Sequence, residues 1–569
     1  GAPITSARAE GQTDRIFELV DDVAAQMLGD LRVGPGERIA RIAAVTTSSV
    51  PALKDYLTGE QAFRAGDFDR ALESFRRATE RDTSFALAYY RLSLAAEWSL
   101  ADADLARGAA IEAARRSHRL SEHDGFLLQA FLAARRGDAE EAERLYRGTL
   151  AAYPEDVEAW FQLGEVLFHY GPLRGHSLAA SKSAWERVLE LEPGDVNARI
   201  HLARIAAKAE EQEELDEVVA AVLVLSRGER TLEMRALQAY AAGDSAAQQS
   251  VLADARRADF TLLTTVTWSE TVLGSGNGAS DLLAVMMDPG QPAEGQALGH
   301  VWAAHLELGR GRWSEARQHL IVAEELSPGL GLEYRSLLSV APFVSVSEEE
   351  KRELLSRLGS WDASLMPTPS LPNLWLTPDE GLHAHLRLYL MGLLELEMGQ
   401  IEATLASADQ LELLPVVAAA DTDLFEETLP AELASTLRAM AAFERGDFEA
   451  GVALLDASMT YAWYNLSHAS GFHAKVHARW ARAQALAEIG RTEEALRWYG
   501  SFGGHTVYDL PYQAPAHYEM GRLLEAAGDS SAAAGHYRRS IEMWSDADEE
   551  FKPLLLEVSE RLSLLGQDR

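Results

Sequence analysis

Apolar residues recur along the chain in pairs of helical stretches that a glycine separates. An apolar helix is followed by glycine and a polar residue, and then by a second helix in which a small Ala usually stands four positions before an aromatic residue or Leu. In the copies of this motif, the turn between the two helices falls at Gly66, Gly137, Gly311, Gly446, Gly490 and Gly528. Weaker copies have their turns at Gly243 and Gly399. Glycine readily adopts the left-handed backbone that ends a helix. The pattern predicts helical hairpins throughout and an all-α fold.

The spacing of these glycines indicates the type of repeat. Gly66 and Gly137 are 71 residues apart, and Gly243 and Gly311 are 68 apart, close to two units of about 34 residues. This is the period of the tetratricopeptide repeat (TPR), a family that the chain resembles. One hairpin cannot bury its apolar face alone, so neighbours must stack. The sequence therefore predicts a TPR α-solenoid, a right-handed superhelix of roughly 10–13 hairpins.

Breaks in the period suggest how the chain is organised. Gly311 and Gly399 are 88 residues apart, which leaves room for an insertion, and residues 367–372 are rich in proline. Proline at this density ends helices and favours loops. We expect five segments: an N-terminal helix and lead-in (1–51), an N-terminal TPR array (52–299), an irregular hinge region with TPR-like hairpins (300–400), a C-terminal TPR array (401–548), and a capping helix with a tail (549–569).

The first helix of each hairpin is expected to line a concave groove. Aligning the units on their turn glycines places aromatic side chains at the same position of this helix, and acidic residues share the face. The groove prediction comprises Tyr90, Phe161, Glu165, Tyr389, Trp480 and Tyr518. Aromatic anchors with an acidic rim are typical of a surface that holds an extended or helical peptide. The alternative is that these aromatic residues pack between repeats.

The net charge of the chain limits the classes of partner that it is expected to bind. The chain has 52 Lys and Arg against 88 Asp and Glu, a formal net charge of −36. This charge disfavours nucleic acids and anionic membrane surfaces, and no apolar run has the length of a membrane span. The inner positions also lack the Lys, Asn and Arg set with which a carboxylate clamp holds acidic tails. A protein or peptide ligand of basic or hydrophobic character is favoured, and the oligomeric state is left open.

The sequence lacks the motifs of several enzyme classes and has one weak metal-binding pattern. It contains no cysteine, no Gly-Lys pair for a P-loop, and neither the His-Arg-Asp nor the Asp-Phe-Gly motif of kinases. His473 and His477, four apart with His468 nearby, have a spacing that can chelate a metal. No carboxylate is placed as a third ligand, and His383 and His385 are a weaker pair. We therefore expect no enzyme activity, no catalytic residue, no cofactor and no metal.

Two regions near the ends resemble a larger family. The matching phrases are residues 19–24 (LVDDVA), 46–60 (TTSSVPALKDYLTGE), 508–517 (YDLPYQAPAH) and 544–548 (WSDAD). They are similar to the C-terminal TPR region of bacterial serine/threonine protein kinases, in which a kinase domain and often a TolB-like domain precede the repeats. The resemblance implies a sensor or scaffold role in signalling. We expect a soluble protein, and its compartment is left open between the bacterial cytoplasm and, if an upstream leader or transmembrane segment has been removed, an extracytoplasmic location.

The sequence thus predicts a non-enzymatic TPR scaffold that binds a protein or peptide in its concave groove. Two alternatives belong to other classes. One is a structural protein that self-assembles through its solenoid ends, against which the capping helix argues. The other is an α/α-toroid hydrolase, which requires two close carboxylates in a deep pocket.

Overall fold

The computed structural model describes residues 47, 49–99, 103–226, 230–274, 277–362, 381–415, 428–458, 464–504 and 506–567, and every regular element in these ranges is helical. The α-helices in chain order are α1 (Val50–Arg64), α2 (Phe68–Arg81), α3 (Ala86–Ser99), α4 (Ala103–Arg115), α5 (Glu122–Arg135), α6 (Ala139–Ala152), α7 (Val157–His169), α8 (Lys182–Leu191), α9 (Val196–Lys208), α10 (Gln212–Leu225), α11 (Arg230–Ala241), α12 (Ser245–Ala255), α13 (Phe260–Val272), α14 (Asn277–Met286), α15 (Ala293–Gly309), α16 (Trp313–Leu326), α17 (Pro328–Ser339), α18 (Glu348–Ser360), α19 (His383–Glu397), α20 (Ile401–Leu413), α21 (Leu429–Glu444), α22 (Phe448–Ala457), α23 (Tyr464–Ala469), α24 (Val476–Glu488), α25 (Thr492–Gly500), α26 (Leu510–Ala526), α27 (Ser530–Met543) and α28 (Lys552–Gln567).

The described helices pair into thirteen hairpins. Each hairpin has a first helix, called here the A helix, and a second, the B helix: α1 with α2 through α21 with α22, then α24 with α25 and α26 with α27. The short α23 precedes the twelfth hairpin, and α28 packs on α27. All eight predicted turn glycines have positive φ, between 65° and 83°. The predicted all-α, TPR-like solenoid is confirmed.

Small residues let the two helices of a hairpin approach. The B-helix alanines of the sequence phrase, Ala71, Ala142, Ala316, Ala495 and Ala533, are fully buried. In the first and last hairpins, a glycine of the A helix also leaves room for the B helix. A Cβ on Gly59 would lie 2.6 Å from the Phe75 ring, and a Cβ on Gly521 would lie 2.4 Å from the Tyr537 ring. The aromatic residue of the B helix therefore packs directly on the A-helix backbone, as close-packed interiors require.

The last hairpins return to the middle of the chain. The A helix α15 of the eighth hairpin packs against α26 of the thirteenth. Just beyond the thirteenth hairpin, the backbone N–H of Asp548 donates to the carbonyl of Gly311 at 2.9 Å, and its carboxylate accepts from the N–H of Ser314 at 2.8 Å. Part of the concave surface is therefore covered by the chain itself.

Some of the segments predicted from the sequence lie partly outside the residues that the structure describes. Residues 1–46, which hold most of the expected lead-in, and the proline-rich residues 367–372 lie outside them. Within the expected hinge, residues 300–360 form regular helices from α15 to α18. The expected cap corresponds to α28. The division into two arrays and a hinge stays a prediction, and none of the described helices has the length and hydropathy needed to cross a bilayer.

Candidate functional site

The six predicted groove residues all lie on A helices, and all six side chains are buried. Their exposed fractions are 2% for Tyr90, 4% for Phe161, 7% for Glu165, 3% for Tyr389, 4% for Trp480 and 8% for Tyr518. Their alignment along the A helices is as the repeat pattern indicates. Their contacts in this structure are with the chain's own helices, and a role in ligand contact stays a prediction for each.

Two of the predicted residues, Tyr90 and Phe161, pack between N-terminal hairpins. The hydroxyl of Tyr90 donates to Glu158 Oε1 at 2.9 Å, and its ring meets Phe131 edge-on with centroids 4.8 Å apart. The ring of Phe161 lies edge-on to Trp185, with centroids 5.4 Å apart. The Tyr90 contacts join the second hairpin to the third and fourth. Trp185 lies on the B helix of the hairpin that contains Phe161, and Phe161 reaches another repeat through Trp98 of α3, with centroids 6.1 Å apart. Packing between repeats is the alternative considered from the sequence.

Ion pairs formed by buried arginines connect A helices of the N-terminal hairpins. Arg91 of α3 donates to Glu60 of α1 and to Glu158 of α7, with 2.5 Å and 2.7 Å between the closest atoms. Arg204 of α9 donates through two nitrogens to Glu233 of α11, at 2.8 Å and 3.2 Å. These acidic side chains are therefore engaged by the chain's own arginines rather than presented to a basic ligand.

Trp480 and Tyr518 pack in the C-terminal hairpins. The ring of Trp480 lies 5.2 Å from that of Tyr499 and 5.6 Å from that of Tyr512 between centroids. The hydroxyl of Tyr518 donates to Glu557 Oε1 of α28 at 2.8 Å. Both residues hold the end of the solenoid together.

Tyr389 alone among the six lines a cleft identified in the described residues. The cleft is small, with a cavity volume of about 20 Å³, and lies where four successive A helices, α17, α19, α21 and α24, meet. Its lining residues are Leu337, Tyr389, Leu429, Glu432, Leu433, Thr436, Gly471, Phe472, Lys475, Val476, His477 and Ala478. The structure thus brings one predicted groove residue to an inner-face opening.

The cleft is mainly apolar and carries one ion pair. Lys475 Nζ lies 2.5 Å from Glu432 Oε2, and the hydroxyl of Thr436 donates to the Glu432 carbonyl at 2.9 Å. Burial lowers the pKa of His477 to about 4, so its imidazole is neutral near pH 7. With these side chains in place the cleft has room for about one water molecule, so an apolar side chain can enter only when lining side chains move aside. The Glu432–Lys475 ion pair is part of the lining.

The histidine pairs that were considered as metal ligands from their spacing are placed differently in the structure. His473 and His477 are buried, and His383 Nδ1 lies 2.7 Å from Glu333 Oε1. The one metal-capable group found in the described residues is instead Glu165, His169 and His201, whose ligand atoms lie within 4.8 Å of one another. The four-residue spacing of Glu165 and His169 was a signal available in the sequence. His201 is 36 residues after Glu165, about one repeat, and only repeat stacking brings it there.

Comparisons with known proteins bear on the first third of the chain. Two family models described as tetratricopeptide repeat match residues 56–121 and 123–166. This part of the chain carries TPRs. The matched residues run from within α1 to within α7 and include Tyr90, Phe161 and Glu165. A search of curated proteins finds no match.

Solved structures give weak likenesses over the whole length. The APC/C hetero-tetramer Cut9–Hcn1 is 13% identical, with 92% of this chain and 98% of that chain covered and a TM-score of 0.28. The P58(IPK) TPR domain is 14% identical, with coverages of 91% and 99% and a TM-score of 0.18. At these TM-scores neither likeness adds to the case for the fold.

Proposed function

We propose that this protein is a non-enzymatic interaction scaffold that binds a protein or peptide segment in the cleft beside Tyr389. TPRs generally provide concave surfaces for protein partners. The observation that carries the proposal is the cleft itself, because it lies on the inner face where A helices meet. The other five predicted groove residues pack against the chain's own helices in this structure, and their role in ligand contact stays a prediction.

The lining of the cleft favours an apolar anchor on the partner. Leu337, Leu433 and Val476 contribute aliphatic walls, and Phe472 and Tyr389 contribute aromatic ones. Burying one large apolar side chain contributes about 1.5–3 kcal/mol. Such an anchor supplies the central part of a peptide interface, and surrounding contacts exclude water.

The charge of the chain favours basic residues beside that anchor. A net charge of −36 accelerates encounter with a positively charged segment. At the cleft, the Glu432 carboxylate is shared with Lys475, so a partner's Arg or Lys can compete for it. We therefore propose a peptide with an aromatic or aliphatic anchor and at least one flanking basic residue.

The experiment is a selection followed by a matched pair of variants. Peptides are selected from a phage-displayed random library on the full chain, and their affinities are measured by fluorescence polarisation. Ala478→Trp places a large side chain in the cleft, whereas Gln484→Trp places the same side chain at an exposed position of the same helix. The first should weaken binding by at least about tenfold, equivalent to about 1.4 kcal/mol, and the second should leave it unchanged. Equal affinities for both variants would refute the assignment.

A more specific part of the proposal is that these repeats serve as the sensor of a protein kinase. It is supported by the resemblance of residues 46–60 and 508–517 to the TPR region of bacterial kinases. Intact mass and N-terminal sequencing of the native polypeptide test it. A kinase domain ahead of these residues supports the sensor role, and a native polypeptide without one removes it while leaving the cleft proposal standing.

A further inference from the structure

A second group of polar side chains lies on the inner face of the N-terminal hairpins, apart from the cleft. Glu165 and His169 are one helical turn apart on α7, and His201 lies on α9, the A helix of the next hairpin. Their exposed fractions are 7%, 7% and 0%. Three groups that can ligate a metal are therefore held by two packed helices in a nearly closed environment.

The distances within this group fit a bound transition metal. Glu165 Oε1 lies 3.3 Å from His201 Nε2, and Glu165 Oε2 lies 3.6 Å from His169 Nε2. Ligand atoms of a tetrahedral site with bonds of about 2.0–2.2 Å are separated by about 3.3–3.6 Å. Each histidine nitrogen thus stands at this separation from one oxygen of the carboxylate, and the three ligand atoms lie within 4.8 Å of one another.

The hydrogen bond at the other ring nitrogen fixes the form of His201. Its Nδ1 lies 3.0 Å from the carbonyl oxygen of Asn197, and a carbonyl only accepts. Nδ1 therefore carries the proton, and Nε2 of the neutral ring presents a lone pair. The ring is further held by stacking on Trp185, with centroids 4.1 Å apart and 10° between planes. His201 is oriented as metal-binding histidines are, with Nδ1–H on a backbone carbonyl.

His169 has a similar arrangement. Its Nδ1 lies 3.3 Å from Nε2 of His468, which precedes the twelfth hairpin. Its Nε2 is then the nitrogen that faces Glu165. An outer partner on Nδ1 with Nε2 directed to a common point is the pattern expected of a second ligand.

The lone pair of His201 and the carboxylate lack a positive group between them. In the described structure, neither Glu165 Oε1 nor His201 Nε2 makes a hydrogen bond, although both atoms are buried. Two facing acceptors without a donor are unfavourable in a buried site. The arginines whose charges act on Glu165 are already engaged, since Arg135 donates to Glu97 and Arg204 to Glu233.

A proton would relieve this arrangement only in part. One proton on the carboxyl group can bridge to one of the two nitrogens. A divalent cation contacts the carboxylate and both nitrogens at once, and it compensates the buried negative charge.

We propose that Glu165, His169 and His201 bind a divalent transition metal ion of the zinc type. Two imidazoles and one carboxylate are a ligand set that suits Zn²⁺ and its neighbours, with a fourth position for water. The ion would tie the fourth hairpin to the fifth. Because His468 holds His169, it would also stabilise the contact between these hairpins and the returning C-terminal ones.

The test uses cobalt as a spectroscopic probe. The full chain is freed of metal with a chelator and titrated with Co²⁺, and visible absorption reports coordination by its ligand-field bands. Wild-type protein should bind one Co²⁺ per chain in a form that Zn²⁺ displaces. Glu165→Gln and His169→Gln should each weaken binding by at least about tenfold. A chain that binds no Co²⁺, or variants that bind it as tightly as wild type, would overturn the proposal.

A matched control separates ligation from general damage. His305 is also buried on an A helix, with its Nδ1 2.8 Å from the Val301 carbonyl, and it is outside the metal-capable group. His305→Gln should retain Co²⁺ binding. The melting temperature gives a second readout: Zn²⁺ should raise it for wild type and His305→Gln, but not for Glu165→Gln. Glu165→Gln is expected to fold because its amide can donate to His201 Nε2. An equal Zn²⁺ effect in all three proteins counts against the site.

Discussion

Tyr508 stacks on Tyr334, with 5.7 Å between ring centroids and 17° between ring planes. Tyr334 belongs to α17 in the ninth hairpin, and Tyr508 lies in the connection just before α26. The Tyr508 hydroxyl donates to the Ala469 carbonyl at 2.7 Å, and the Tyr334 hydroxyl accepts from the N–H of Gly471 at 3.2 Å. This stack joins the end of the solenoid to its middle.

Removing one ring of this stack should destabilise the fold. Tyr508 is 1% exposed, and truncating such a residue to Ala costs about 3–5 kcal/mol. Tyr508→Ala should therefore lower the midpoint of urea unfolding markedly. Phe126→Ala, at a ring that is 40% exposed, serves as the control and should change it little. If both variants unfold at the wild-type midpoint, the contact between the ninth and last hairpins does not stabilise the protein.

Trp480 gives a second prediction about stability. The double variant Trp480→Ala with Tyr518→Ala changes two residues of the predicted groove. It should lose several kcal/mol of unfolding free energy, because both rings are buried and large cavities would replace packed side chains. Circular dichroism during thermal unfolding measures this. Tyr518→Phe, which removes only the hydroxyl bonded to Glu557, should cost about 1 kcal/mol. A double variant as stable as wild type would show that these rings are not part of the core.

Glu270 should make the protein more stable at mildly acidic pH. A Cβ on Gly274 or Gly278 would come within 2.6 Å of the Glu270 side chain, so both glycines leave it room. Burial raises the Glu270 pKa to about 8, against about 4.3 in an unfolded chain. The folded state therefore binds the proton more tightly, and its contribution to stability falls as pH rises from about 5 to 8.

The corresponding variant is Glu270→Gln, which keeps the shape and removes the charge. It should be more stable than wild type at pH 8 by at least about 1 kcal/mol, with a smaller difference at pH 5. Urea unfolding at both pH values measures this difference. Glu315→Gln, at an exposed position, should shift neither value. A constant offset between Glu270→Gln and wild type at the two pH values would argue against a neutral buried carboxyl group.

Substitution by Ala should change the unfolding free energy in opposite directions at a turn glycine and at a glycine within a helix. Gly446 ends α21 with φ of 77°, and a Cβ there would meet no atom within 4 Å, so backbone conformation is the only obstacle to substitution. Gly446→Ala should cost about 1–2 kcal/mol. Gly535 lies exposed within α27 and is equally open, so Gly535→Ala should stabilise by about 0.5–1 kcal/mol. Denaturant unfolding of the two variants checks both signs, and a loss in both would implicate crowding instead.

The hairpins were predictable because their determinants are local. The turn glycines and the Ala that packs beneath them recur at short separations, so Gly66 and Ala71 carry the information for their own unit. Contacts between distant parts of the chain were not predictable in this way. His169 lies against His468, 299 residues apart, and periodicity does not encode this contact.

The phrase at residues 508–517 illustrates the same limit. The sequence of this segment differs visibly from the repeat motif, but the residues it packs against could be identified only in the structure. Tyr508 stacks on Tyr334, the Asp509 carboxylate accepts from Arg479 at 2.6 Å, and the Tyr512 ring stacks on Phe502 with centroids 5.0 Å apart. Aromatic and acidic residues between helices indicated a special segment. Arg479 and Phe502 lie in or beside the neighbouring twelfth hairpin, whereas Tyr334 meets Tyr508 only because the last hairpins contact the middle of the chain.

The central claim, that a partner segment enters the cleft beside Tyr389, is tested most directly by photo-crosslinking. The photoreactive residue p-benzoylphenylalanine replaces Ala478 at the cleft or Gln484 on the exposed side of the same helix, and each protein is irradiated with a peptide selected on the wild-type chain. The account predicts a covalent adduct at position 478 that unlabelled peptide suppresses, and none at position 484. Equal adducts at both positions, or an adduct at 484 alone, would contradict it.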